Sequence, residues 1–131
     1  MSNYYRKVGE VEHDNLVTGL SPQVDVQVII LLQLAQAATY PKGTLLGVHT
    51  AGANAGKCVI LGTAAGGGEN IEPAFVLAEE TAIGAADVNA PAYSAGCFAP
   101  EHVTVAAGYT LTEADMDDLR TRNIVFKTAF N

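Results

Sequence analysis

The chain has 131 residues, of which only 16% are charged while 49% are of hydrophobic types. An ordinary globular domain carries about 25% charged residues, and a small domain leaves a large fraction of its residues at the surface. The net charge of −7 comes without a cluster of Lys and Arg, which argues against nucleic acid as a partner. The composition therefore indicates an assembly protein whose surface is covered in part by other chains.

The length allows one domain, and its longest uninterrupted apolar run, residues 28–32, is far shorter than a membrane span. The first residues are not followed by the apolar region of a signal peptide. We therefore expect a chain made in the cytoplasm, with no membrane as partner. Cys58 and Cys97 are too few for a disulfide framework. They are expected to be small buried hydrophobes, with a disulfide between them as the alternative.

Residues 1–40 are predicted to form an extended N-terminal arm. Residues 1–23 are polar, interrupted by two glycines and a proline, and show no sustained periodicity. From residue 24 to residue 34 the even positions are all Val, Ile or Leu, and this period of two is typical of a strand. The alanines that follow leave a short helical turn before Pro41 as an alternative.

Residues 41–131 are predicted to form a β-rich domain of short strands joined by Gly- and Ala-rich turns. Strands at this spacing suggest a small all-β barrel or sandwich. The candidate strands are residues 44–50, 58–61, 74–80, 92–98, 103–105 and 124–127.

One short helix is expected near the C-terminal end, beginning after Thr112. This threonine is a good N-cap, and the acidic residues after it suit the positive end of the helix dipole. Leu119 supplies part of the apolar stripe, and Asp118 and Arg122 are spaced as an i,i+4 ion pair. Asn123 is predicted to end the helix in the left-handed conformation.

No motif for catalysis, metal binding or phosphate binding is recognisable. Residues 52–57 have too few residues between their glycines for a phosphate-binding loop and favour a hairpin turn. None of the three histidines has a second His, a Cys or a carboxylate at the sequence spacing of a metal site. Cys97 and His102 could provide a thiol nucleophile and its base, but no third group is placed to orient them. We therefore expect no enzyme activity, no cofactor and no metal.

Four segments of the chain occur in an order typical of one family of virion proteins. In that order, over about residues 41–129, they resemble the lambda-type capsid-stabilising protein D family of phage head decoration proteins. The segments are KGTLLG at 42–47, PAFVLAEE at 73–80, AYSAGCF at 92–98, and LR at 119–120 followed by IVFK at 124–127.

The resemblance implies a β-clip-like fold that forms a homotrimer. It also implies that these trimers bind the major capsid protein on the outer surface of an expanded head and stabilise it against internal DNA pressure. Such a protein is assembled in the host cytoplasm and located on the virion. The alternative function is a virion- or cell-surface module that recognises a glycan or receptor through its Gly-rich loops.

Two sets of residues are candidates for these contacts. The apolar residues of the arm suit strand addition to an exposed sheet edge, whereas small residues permit the close backbone approach expected in a cyclic trimer. The predicted capsid contacts are Leu16, Val17, Val24, Val26, Val28 and Ile30. The candidate trimer contacts are Ala64, Ala65, Gly66, Ala106, Ala107 and Gly108.

Overall fold

The computed structural model of the chain describes residues 16–19, 22–64 and 70–127. Of the described residues, 49% are strand and 11% are helix, so this part of the chain is mainly β, and five of its strands close into a small barrel. A 3-10 helix at Pro100–His102 and one short α-helix near the C-terminal end make up the helical residues of the described part. The predicted mainly β fold with a C-terminal helix is therefore confirmed, while residues 1–15, 20 and 21 of the arm predicted for 1–40 lie outside the described residues.

The described residues form nine strands and one α-helix. In chain order they are β1 (Val17–Gly19), β2 (Asp25–Leu31), β3 (Ala38–Tyr40), β4 (Leu45–Ala51), β5 (Lys57–Ile60), β6 (Asn70–Leu77), β7 (Thr81–Ile83), β8 (Val88–Phe98), α1 (Glu113–Thr121) and β9 (Ile124–Phe126).

The barrel runs in the order β2, β5, β4, β6, β8, and pairing of β8 with β2 closes it. Only the contact between β2 and β5 is parallel within this ring. The long strand β8 extends beyond the barrel, where it pairs with β1 and β9. Strands β3 and β7 form a separate two-stranded sheet.

The hydrophobic core is divided into two clusters by the barrel wall. Neighbouring residues such as Leu45 and Leu46 belong to different clusters, because successive side chains of a strand point to opposite faces. The inner cluster fills the barrel and includes Ile29, Leu31 and Leu77. The outer cluster lies beneath α1 and β9 and includes Val76, Phe98, Leu119 and Ile124.

The predicted boundary at residue 40 is wrong, because β2 belongs to the barrel. Strand β2 pairs with β8 along its whole length and with β5 near its end. The physical reason is that Ile29 and Leu31 are apolar at odd positions, which gives the strand a second apolar face for the barrel interior. The alternating segment is therefore not a free arm.

Several predicted strands differ in extent from those observed. Strands β6 and β8 begin earlier than predicted, at Asn70 and Val88. Residues 103–105 do not form a strand and contribute only a single bridge, between Thr44 and Thr104. The short strands β3 and β7 were not expected, and β3 takes the place of the possible helical turn before Pro41.

Helix α1 begins and ends where the sequence predicts. The Thr112 side chain accepts a hydrogen bond from the Asp115 backbone N–H, and the Asp115 carboxylate accepts one from the Thr112 N–H. This reciprocal arrangement is a capping box. Asn123 follows the helix with a φ of 67°, the left-handed conformation predicted for it.

The outer side of α1 carries ion pairs other than the predicted one. Arg122 contacts Glu72 of β6, with 3.2 Å between Nη2 and Oε1, instead of the predicted Asp118. Arg120 pairs with Asp117 at 2.8 Å. The contact between Arg122 and Glu72 joins the end of the helix to the barrel wall. Glu72 is distant in sequence, so the spacing of residues along the helix does not reveal it as a partner.

Candidate interaction surface

A row of exposed apolar side chains marks the outer face of β2. Val26, Val28 and Ile30 are 50%, 70% and 40% exposed, and they are the exposed large hydrophobics among the described residues. The intervening Ile29 lies in the inner cluster, so the even positions of the strand face outward. We call Val26, Val28 and Ile30 the β2 stripe. Single exposed apolar residues are ordinary, but a contiguous patch marks a site of interaction.

Strand β8 forms one flank of the β2 stripe. Val26 lies opposite Tyr93, Val28 opposite Pro91, and Ile30 opposite Asn89. The Tyr93 ring packs against the outer cluster, with its centroid 5.2 Å from that of Phe98. The stripe is therefore continuous at one end with packed apolar surface.

A polar anchor lies at the other end of the stripe, where β5 begins. Lys57, which pairs with Ile30, contacts Asp87 at 2.8 Å between Nζ and Oδ2. The Gln33 backbone N–H donates to the other carboxylate oxygen of Asp87 at 2.8 Å. Two hydrogen bonds lower the pKa of Asp87, and the one from Lys57 has a larger effect than the one from Gln33. This anchor fixes the end of β2 to β5 and to the segment before β8.

One edge of β2 is open over its first half. On the side away from β8, the described residues place only β5 against this strand, and only at Ile30 and Leu31. Residues 25–28 are all exposed, whichever face of the strand they lie on. The open edge is therefore the part of β2 that carries Val26 and Val28.

Backbone pairing shows which groups face this edge. The Pro91 carbonyl accepts a hydrogen bond from the Ala78 N–H at 3.0 Å, so the backbone of Pro91 faces away from β2. Opposed residues of an antiparallel pair either exchange both hydrogen bonds or exchange none. Because Val28 lies opposite Pro91, its N–H and C=O point to the open edge, and by alternation those of Val26 do the same.

The six predicted capsid contacts separate into two groups in the structure. Leu16 is 2% exposed within the outer cluster, and Val17 pairs with Phe98 and packs against that cluster. Leu16 is therefore a core residue without surface for a partner, because β1 is part of the sheet, whereas Val17 is only partly buried. Val24 is partly buried, which leaves the β2 stripe as the exposed portion of the predicted set.

The candidate trimer contacts lie at one corner of the molecule as far as they are described. The Ala106 N–H donates to the Leu61 carbonyl at 2.9 Å, which brings the two predicted segments together beside Gly62. We call this part of the surface, where the side chains have little bulk, the small-residue corner. Ala64, Ala107 and Gly108 are exposed there, whereas Ala65 and Gly66 lie outside the described residues.

The two thiols are free and buried in the structure. Burial in the barrel raises the pKa of Cys58 to about 12. Cys97 is fully buried beneath β1, 3.5 Å from the Thr18 hydroxyl, while His102 is exposed. A thiol nucleophile requires both access and thiolate character, and neither buried cysteine offers access to a substrate.

Residues 52–57 form the hairpin turn that the sequence predicts between β4 and β5. The Gly56 N–H donates to the His49 carbonyl at 2.8 Å, which closes the turn. Across the described ranges, no group of His, Cys, Asp and Glu is arranged to hold a metal ion. No helix in the same ranges is long and apolar enough to cross a membrane.

Comparison of the chain with protein-family models, curated proteins and solved structures gave no match. The residues of the chain and the β2 stripe therefore carry the evidence for its function. Alternation in residues 24–34 predicted a strand suited to edge pairing, but it did not predict which backbone groups face the open edge. The available signal was Pro91, which lacks an N–H and is tolerated in a strand only where no hydrogen bond to a neighbouring strand is needed.

Proposed function

We propose that the chain is a structural capsid decoration protein. It trimerises on the outer surface of an expanded phage head, binds the major capsid protein and stabilises the head against internal DNA pressure. The observation that supports this best is the β2 stripe, a contiguous apolar surface on a small closed barrel with few charges. The four segments that resemble head decoration proteins supply the class of partner.

The β2 stripe replaces the free arm as the proposed capsid contact. It lies on a strand held by β8 along its length and by the Lys57–Asp87 ion pair at one end. A contact surface that is already ordered loses little conformational entropy on binding. Three stripes in one trimer would bind together, so a modest contact from each would give strong overall attachment.

The proposed trimer contact is the small-residue corner around Ala64 and Ala106. The exposed small residues there permit close approach of neighbouring backbones. Closed three-fold symmetry would leave no open surface for further association through this corner. The proposed protein acts on the virion without catalysis or cofactor, after assembly in the host cytoplasm.

Cosedimentation with phage heads tests this function. We expect the purified chain to add stoichiometrically to expanded, undecorated heads and not to unexpanded procapsids. Val28→Asp should reduce binding at least tenfold, because it places a charge in the apolar contact. Ala85→Asp is the matched control, since Ala85 is exposed in the turn between β7 and β8, and it should bind as wild type does.

Two results would contradict the proposal. Wild-type protein that fails to add to expanded heads would exclude decoration. A monomer that binds immobilised glycans, with undiminished binding for Val28→Asp, would instead support the surface-module alternative.

A further inference from the structure

We propose that two copies of the chain pair through the open edge of β2 when the protein is free in solution. The pairing is antiparallel and two-fold symmetric, and it extends the barrel wall of one copy into that of the other. It does not depend on a capsid, and it concerns the state of the protein before any other partner is met.

The backbone determines what kind of occupant this edge takes. Val26 and Val28 present their N–H and C=O groups to the edge, as the pairing of Pro91 with Ala78 requires. Backbone polar groups left without partners beneath an apolar contact are costly. An extended strand is the occupant that satisfies these groups, and it places its own side chains beside the β2 stripe on the same outer face.

The edge is complementary to a second copy of itself. A two-fold axis at Gln27 places Val26 of one copy opposite Val28 of the other, so each valine both donates and accepts a hydrogen bond. The valine side chains then lie on the same outer face as cross-strand pairs. Asp25 falls opposite Ile29 of the second copy, so no like charges meet.

The sequence of this edge lacks the features that normally prevent such pairing. Exposed edge strands are usually protected by Lys, Pro, a bulge or a covering element. Val26, Gln27 and Val28, which form the proposed pairing, include no charged residue and no proline, and Asp25 and the shift in register lie just before them. Pairing of two copies closes both edges at once and leaves neither open to further strands.

This pairing and the proposed trimer use different surfaces of the molecule. If both form, every β2 edge of a trimer is paired with one from another copy, and the assembly contains an even number of chains. The pairing leaves the β2 stripes of both copies on the outer face, so it does not itself cover the proposed capsid contact. The free protein would then carry a protected edge.

Sedimentation of the full chain with an edge proline tests the pairing. Val28→Pro removes the N–H that faces the open edge and leaves the hydrogen bonds to β8 in place. Val28→Thr is the matched control, because it keeps the N–H and the β-branched shape. At micromolar concentration we expect wild type and Val28→Thr to have the same mass, and Val28→Pro to have half of it.

Amide hydrogen exchange gives a second readout at the same residues. We expect the Val26 and Val28 amides to be protected in wild type and to exchange more slowly as concentration rises. In Val28→Pro the Val26 amide should exchange at the rate of an open strand. Circular dichroism shows whether Val28→Pro keeps its fold. If it does not, Val26→Lys, which retains the N–H but adds a charge at the pairing, must halve the mass instead.

Three outcomes overturn the pairing: an odd-numbered wild-type assembly, unprotected Val26 and Val28 amides in wild type, or an unchanged mass for a folded edge variant. The proposed function is judged separately by addition to heads. An even-numbered wild-type assembly whose mass is halved in a folded edge variant, together with addition of wild type to expanded heads, would support both proposals. A paired wild-type protein that never adds to heads would contradict decoration alone.

Discussion

Leu119 joins helix α1 to the barrel through complete burial in the outer cluster. Leu119→Ala should therefore lower the free energy of unfolding by about 2–5 kcal/mol, since a buried leucine replaced by alanine leaves a cavity. Asp117→Ala is the control on the opposite side of the helix, where an exposed ion pair contributes under about 1 kcal/mol. Urea unfolding measures both. Similar losses for the two variants would show that α1 is not packed through Leu119.

Gly62 is a position where only glycine fits the backbone. Its φ is +109°, and a Cβ there would lie 2.7 Å from the Cβ of Tyr109 and 2.9 Å from that of Ala106. Gly62→Ala should cost more than about 1 kcal/mol, because strain and overlap act together. Gly84→Ala, where a Cβ meets no atom within 4 Å, should be close to neutral or slightly stabilising. Thermal unfolding of the two variants tests this difference.

At the scale of elements, the Lys57–Asp87 pair connects β5 to the segment before β8. The hydrogen bond from the Gln33 N–H to Asp87 connects the end of β2 to the same segment. Because these contacts lower the pKa of Asp87, its stabilising effect is present above the ordinary aspartate pKa of about 4. It is lost as pH falls through the lowered value. Asp87→Asn should be less stable than wild type near pH 7, and the difference should close in acid.

Urea unfolding of wild type and Asp87→Asn between pH 3 and pH 7 measures this dependence. Asp117→Asn controls for loss of an exposed carboxylate, since its pair with Arg120 lies within α1. A difference between wild type and Asp87→Asn that stays constant with pH would show that ionisation of Asp87 does not hold these elements together.

The elements that sequence could predict are those whose signals are local. The N-cap Thr112 and the left-handed Asn123 are determined by adjacent residues, and both were predicted. Strand β2 was predicted as a strand but assigned to an arm, because its partner β8 lies far away in sequence. Strand β3 consists of Ala, Thr and Tyr with no alternating pattern, so only its pairing with β7 defines it.

The candidate surface was predicted in part for the same reason. Alternation indicated that Val26, Val28 and Ile30 share one face, and they do. Burial of Leu16 and packing of the partly buried Val17 depend on β8 and on the outer cluster, which no local pattern encodes. The open edge likewise follows from how far β5 extends along β2, a property of the closed barrel.

At the scale of the whole molecule, the two thiols report on whether the barrel and its outer layer open together. Cys58 lies in the inner cluster and Cys97 on the part of β8 covered by β1 and β9. Both side chains are at most 1% exposed. The closed ring shares β8 with the outer layer, so neither thiol is expected to become accessible without unfolding of the other's surroundings.

Native-state alkylation under dilute urea should therefore label Cys58 and Cys97 at equal rates that follow global unfolding. Ala85→Cys, in an exposed turn, provides a thiol that should react at once and shows that the reagent is active. The high pKa of Cys58, about 12, keeps that thiol protonated at neutral pH, so its labelling also requires removal from the barrel interior. Rapid labelling of Cys97 alone would show that β1 and β9 separate from β8 without unfolding of the barrel. Cys97 would then be accessible enough to act as a thiol nucleophile, a role that its burial argues against.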